Sequence, residues 1–94
     1  MRIESIIWLE VIVEKLAVKH HVEPEEVEEA LYNARKFRFI ASGDRTGEDV
    51  YMALGQTDAG RYLTVLFIYK LAKEALILSA RDMATKERNW YGRK

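Results

Sequence analysis

Residues 61–69 read RYLTVLFIY. Apart from Thr64 the run is apolar on both faces, the pattern of a strand at the centre of a sheet. Upstream, Gln56-Thr57-Asp58-Ala59-Gly60 reads as a hairpin connection. In residues 48–55, Val50, Met52 and Leu54 alternate with Tyr51 and Ala53, so a second strand leads into that hairpin. Further back, SGDRTG (Ser42 to Gly47) has loop chemistry. Before it, residues 36–41 alternate Lys36 and Arg38 with Phe37 and Phe39, a third strand. Downstream, Lys70 to Glu74 turns and residues 75–81, ALILSAR, form a fourth. Strands joined in succession by short connections predict an antiparallel meander.

The flanks are helical. Residues 3–8 read as a short strand of mixed pattern. In the next segment Val11, Ile12 and Val13 favour a strand, but Leu9, Ile12, Val13, Leu16 and Ala17 share one helical face. Helix is the reading for 10–20, with Lys19, His20 and His21 at its negative dipole end. A second helix starts at Pro24, with Glu23 as cap and Val22 and Val27 spaced as a hydrophobic staple. Its buried stripe is Val27, Ala30, Leu31 and Ala34, and Glu25, Glu26, Glu28 and Glu29 form a solvated face. Asp82 or Thr85 can cap a final helix through about Tyr91, before a basic tail, Gly92-Arg93-Lys94. The order is β-α-α-β-β-β-β-α. It implies an α+β fold whose antiparallel four- to five-stranded sheet packs one face on the helices.

At 94 residues the chain is expected to form one domain, 1–94. The absence of Cys excludes a disulfide framework, a Cys-ligated zinc site and a thiol nucleophile. No apolar run reaches the ~18 residues of a membrane span. Glu4 comes too early for a signal peptide, so a cytoplasmic protein with no membrane association is expected. Net charge is zero but unevenly spread. Residues 1–34 carry three basic and eight acidic residues, net −5, and residues 35–94 carry twelve and seven, net +5. Such asymmetry suits a polyanion or a charged protein partner, or else two solvated faces that attract each other.

Three stretches resemble the BrnT-type toxins of bacterial and archaeal type II toxin–antitoxin modules, whose fold is similar to RelE/ParE ribonuclease toxins. The first is Trp8 before a helix ending in Lys19-His20-His21-Val22, followed by PEEVEEAL (Pro24 to Leu31). The second is ALGQTDAGRYLTVLFI (Ala53 to Ile68). The third, and most specific, is LSARDMATKERNWYGRK (Leu78 to Lys94). The chain departs from the family pattern in three places. Leu9 stands where Asp commonly follows the Trp, Ile12 where a Lys is frequent, and His21 where many members have Gly.

The resemblance implies an endoribonuclease that cleaves RNA, free or on the ribosome, inhibits translation and is held by a cognate antitoxin. When a 2′-hydroxyl attacks the adjacent phosphate, a protein must orient the strand, move protons and stabilise the crowded phosphate. No metal or other cofactor is required, and no metal-ligand pattern is present. His20, at the position of the family His, is the acid/base candidate. The adjacent His21 points about 100° away along a helix, so a shared metal site is not expected. Lys19 and Arg81 are the candidate phosphate contacts, with an ion pair to Asp82 or Glu87 as the plainer reading of Arg81. Arg61 matches the family pattern after Gly60. Glu87 can orient Arg81 or Lys19, or act as a base. Arg88 and Tyr91 can support RNA binding, although Tyr91 and Trp90 also suit packing. Lys36 and Arg38 would offer a basic outer strand face to phosphate, with Phe37 and Phe39 in the core. The rival reading is a non-catalytic protein-binding module of the same fold, motivated by the apolar Leu9 and Ile12.

Overall fold

The RYLTVLFIY run forms the middle strand of a five-stranded sheet in a computed structural model that describes residues 1–93. In chain order the elements are β1 (Ser5–Ile7), α1 (Glu10–His20), α2 (Pro24–Tyr32), β2 (Lys36–Ala41), β3 (Asp49–Gln56), β4 (Tyr62–Tyr69), β5 (Glu74–Asp82) and α3 (Thr85–Tyr91). The expected tail keeps Gly92 and Arg93; Lys94 lies outside the described residues. Strands β2 to β5 are the antiparallel meander that the turn chemistry predicts.

The expected antiparallel sheet is corrected at its edge. Strand order is β1-β5-β4-β3-β2, and β1 pairs parallel to β5, with Ser5 opposite Glu74 and Ile7 opposite Leu76. The sheet is therefore mixed. The two helices after β1 carry the chain across one face to the far edge, so the meander returns to β1 from the other side.

The placement of the helices is also corrected. Helices α1 and α2 cover one face, burying Leu16, Val27, Ala30 and Leu31 on Val65, Phe67 and Ile77. Helix α3 packs on the opposite face, where Tyr91 meets Met52 and Leu54. Strand alternation supplies both layers: Ala53 faces α2 and its neighbours Met52 and Leu54 face α3. Gly55 lets α2 approach the sheet closely, since a Cβ there would come within 1.8 Å of the Ala30 carbonyl oxygen.

Local chemistry sets the helix ends. Glu23 is the N-cap of α2, as expected, and its backbone N–H donates to the Glu26 carboxylate at 3.0 Å. Both staple residues, Val22 and Val27, are fully buried. The expected cap of α3 is corrected. Neither Asp82 nor Thr85 caps it; Ala84 is the N-cap, and Glu87 in the first turn accepts from the Ala84 N–H at 2.8 Å. Asp82 still belongs to β5 and is bonded to Arg61. Helix α1 begins after Leu9, which offers no side-chain cap. It ends at His21 in the left-handed conformation (φ 53°), with the Val22 N–H reaching back to the Leu16 carbonyl at 3.1 Å.

One irregularity matters for the site. Leu66 pairs with Ser79 while Phe67 pairs with Ile77, so Leu78 is an extra residue in β5. This bulge reverses the alternation beyond it. Ala75 and Ile77 face α1 and α2, and after the bulge so does Ala80. Arg81 consequently turns to the α3 face, and Asp82 to the face of α1 and α2.

Candidate active site

Two ionic clusters lie near one end of the sheet, on opposite faces. On the α3 face, Arg81 makes a bidentate pair with Glu87, Nη1 to Oε1 at 2.7 Å and Nη2 to Oε2 at 2.8 Å. Glu87 is held from two further sides. Thr64, buried in the central strand, donates its hydroxyl to Oε1 at 2.8 Å, as does the Ala84 N–H. The Arg81 guanidinium, with these hydrogen bonds, holds the Glu87 carboxyl at about 2, although burial opposes the shift. Glu87 is therefore ionised at neutral pH and cannot serve as a general acid there. The same pairing pushes the Arg81 pKa up from its ordinary value. The result is a permanent cation locked in orientation, with its side chain 43% exposed.

Around this pair lie cations held over rings. Arg38 sits over Trp90 at 4.4 Å from the ring centroid, and Lys36 over the same ring at 5.7 Å. Arg88 covers Tyr62 at 3.6 Å, and Arg35 lies 5.3 Å from the centre of Tyr91. Among the described residues none of these four has a carboxylate within ion-pair distance. Lys36 and Arg38 do share one strand face, with Phe37 packed on the core of the other; Phe39, expected there too, is instead exposed at the sheet edge. Tyr91 is buried, its ring edge-on to Tyr62.

The other cluster is centred on Arg61. Its guanidinium donates to the Asp82 carboxylate at 2.7 Å, the Glu26 carboxylate at 3.2 Å, and the carbonyls of His20 and His21 at 3.1 and 2.8 Å. Hydrogen bonding to Asp82 raises the Arg61 pKa and lowers that of Asp82. These partners tie the α1–α2 turn to the start of β4. The His20 carbonyl, bonded to Arg61, places His20 on this face. Lys19 lies beside Val11, Lys15 and Val18 on the exposed outer side of α1.

The structure thus divides the sequence-derived candidates. Arg81, Glu87, Lys36, Arg38 and Arg88 gather on the α3 face, with Tyr91 beneath them; Lys19, His20 and Arg61 lie across the sheet. Strand alternation without the bulge would turn Arg81 toward the helices, beside Arg61. Sequence reasoning missed the part played by Thr64, whose signal was a lone hydroxyl in an otherwise apolar strand. The departures at Leu9 and Ile12 have structural settings: Leu9 is a helix N-cap, and Ile12 packs against the core. Among the described residues no group of three or more His, Cys, Asp or Glu could hold a metal ion. No helix among them is long and apolar enough to cross a membrane.

A family model described as the ribonuclease toxin BrnT of a type II toxin–antitoxin system matches residues 8–87. The crystal structure of the Brucella abortus ribonuclease toxin, BrnT, is similar in fold, with a TM-score of 0.61 at 20% sequence identity, covering 86% of this chain and 97% of that one. No curated protein sequence matches.

Proposed function

The chain belongs to the BrnT family of ribonuclease toxins of type II toxin–antitoxin systems, and from that premise we propose that it cleaves RNA itself, without a metal, on the α3 face of its sheet. The observation that carries this reading is the set of cations there that form no ion pair among the described residues. Arg35, Lys36, Arg38 and Arg88 are held over aromatic rings, and the nearby Glu87 carboxylate is already taken up by Arg81, so these cations can meet an incoming phosphate chain. Arg81 differs from them: a carboxylate fixes its orientation and leaves it partly exposed.

In this mechanism the face aligns the 2′-oxygen, phosphorus and leaving oxygen of a single strand. Arg81 stabilises the charge that grows on the phosphate, and Glu87 positions Arg81. Lys36 on β2 and Lys86 on α3 can give a proton to the leaving oxygen, while the proton of the attacking 2′-hydroxyl passes to water. Cleavage of RNA, free or on the ribosome, would inhibit translation in the cytoplasm, and a cognate antitoxin would restrain it by covering the face. The meander flanked by helices supports the wider RelE/ParE-like reading of the fold.

The second reading, a non-catalytic protein-binding module, is favoured by one observation: both histidines lie across the sheet from Arg81. The purified protein should be incubated with RNA in EDTA beside Arg81→Ala and His20→Ala. On the nuclease reading Arg81→Ala loses about 10²–10³-fold in rate, the cost of removing one charge-stabilising donor. His20→Ala keeps wild-type cleavage, without the loss of about 10² or more that removal of a general acid or base brings. A wild-type protein that binds a partner and cleaves no RNA, with or without ribosomes, establishes the binding module instead.

A further inference from the structure

Between β2 and α3 lies an open cleft of about 420 Å³ lined by Arg38, Ile40, Met52, Lys86, Glu87 and Trp90. Its make-up differs from that of a plain phosphate track. Ile40 and Met52 supply an apolar surface, and Ile40 is 46% exposed in the midst of cations. Trp90 supplies an indole wall with the Arg38 guanidinium over it. The volume falls in the range of small-molecule sites, about 300–1,000 Å³. One lining residue is Glu87, the partner of Arg81, so the cleft adjoins the proposed phosphate position.

From these features we infer that the cleft is a nucleobase subsite, which takes one unstacked base of a single-stranded RNA whose neighbouring phosphate lies at Arg81. The inference rests on the RNA-cleaving reading of this face. Unstacked bases are recognised by stacking on aromatic rings and on guanidinium planes, and the Arg38–Trp90 pair offers both. The apolar surface of Ile40 and Met52 suits the flat body of a base, while Arg38 and Lys86 suit the phosphates on either side. An acidic peptide would satisfy the cations but leave the indole and Ile40 without a partner. Trp90 therefore selects where the strand sits and does not itself take part in the chemistry.

The test uses the whole protein and a 2′-O-methyl hexanucleotide, which binds but lacks the attacking hydroxyl. Intrinsic fluorescence reports binding, because Trp8 is bonded to Glu28 on the other side of the sheet and Trp90 lines the cleft. Expected is a saturable quench that disappears in Trp90→Leu. A single abasic replacement, walked along the oligonucleotide, should weaken binding about tenfold at one position, the scale of losing one stacked base. That position should be neutral in Trp90→Leu. The abasic series on the unaltered protein keeps the test sound if Trp90→Leu fails to fold. RNA that binds without quenching, with every abasic oligonucleotide equal to the parent, overturns the subsite. Cleavage of unmodified RNA, followed separately, keeps the two readings apart. Base-dependent binding without cleavage overturns the nuclease and leaves the subsite; cleavage with base-independent binding does the reverse. No binding of RNA overturns both.

Discussion

Glu87 accepts four hydrogen bonds, two from Arg81 and one each from Thr64 and the Ala84 N–H. Its role is consequently legible in pH dependence. The folded carboxyl titrates at about 2, below its ordinary 4.5. The ionised form is the one the fold favours, so its contribution is complete above about pH 4.5 and fades as pH falls toward 2. Glu87→Gln keeps the shape and removes the charge. It should cost about 1–3 kcal/mol at pH 7, the scale of hydrogen bonds to a charged group, and flatten the acid limb of stability between pH 4.5 and 2. Urea unfolding at several pH values checks this; a variant that keeps the wild-type acid limb excludes the assignment. If Glu87 acts by orienting Arg81, Glu87→Gln should also lower kcat more than it raises KM. Arg61 yields the opposite expectation. Its donors are taken up by two carboxylates and two carbonyls, so Arg61→Ala should lower stability by about 2 kcal/mol and leave cleavage per folded molecule unchanged. The sequence placed these two arginines in one site. Their types and positions suit that reading, but the single extra residue in β5 that separates them leaves no mark in an alternating apolar run.

At the scale of elements, helix α1 explains two of the three departures from the family pattern. Leu9 occupies the N-cap, where a carboxylate or hydroxyl normally accepts from the first turn, and Leu provides no acceptor. His21 occupies a left-handed C-terminal position, where Gly is free of Cβ crowding. An Asp and a Gly are the residues that these two helix ends prefer, so Leu9 and His21 each carry a cost in stability. Leu9→Asp and His21→Gly should each stabilise the protein by about 1 kcal/mol, and together by about 2, since the sites are at opposite ends of the helix. Thermal unfolding checks both, and a destabilised Leu9→Asp would mean that the exposed Leu9 side chain makes a contact worth more than a cap. The meander was legible because hairpin turns and period-two alternation are local. So was α2, through Pro24 and the staple. The parallel pairing of β1 with β5 was not, because residues 5–7 meet residues 74–76 through a contact that no local signal announces. Nor was the side on which α3 packs, since a helix of seven residues fits either face of a sheet whose central strands are apolar on both.

For the whole molecule, the charge asymmetry read from the sequence becomes a difference between faces. The acidic residues of α2 lie on one side of the sheet, and the cations of β2 and α3 on the other. Glu26 with Arg61 is the ion pair that joins the two charge-biased segments, 1–34 and 35–94, among the described residues. Two faces neutralising each other would need many such pairs. The basic face is instead open to a polyanion, and its use should appear as a salt dependence. Engaging Arg35, Lys36, Arg38 and Arg88 with phosphates would release counterions in proportion, giving a slope of log K against log salt of about −3 for a single strand. Lys36→Ala and Arg38→Ala should each reduce that slope by about 0.7, whereas Lys15→Ala and Lys19→Ala, on the outer side of α1, should leave it unchanged. Titration of a short single-stranded RNA at several salt concentrations measures all four. Equal effects from both pairs would mean that RNA responds to total charge and not to this face. A reduced slope confined to Lys36 and Arg38 would place the strand along β2, where it runs past Trp90 toward Arg81.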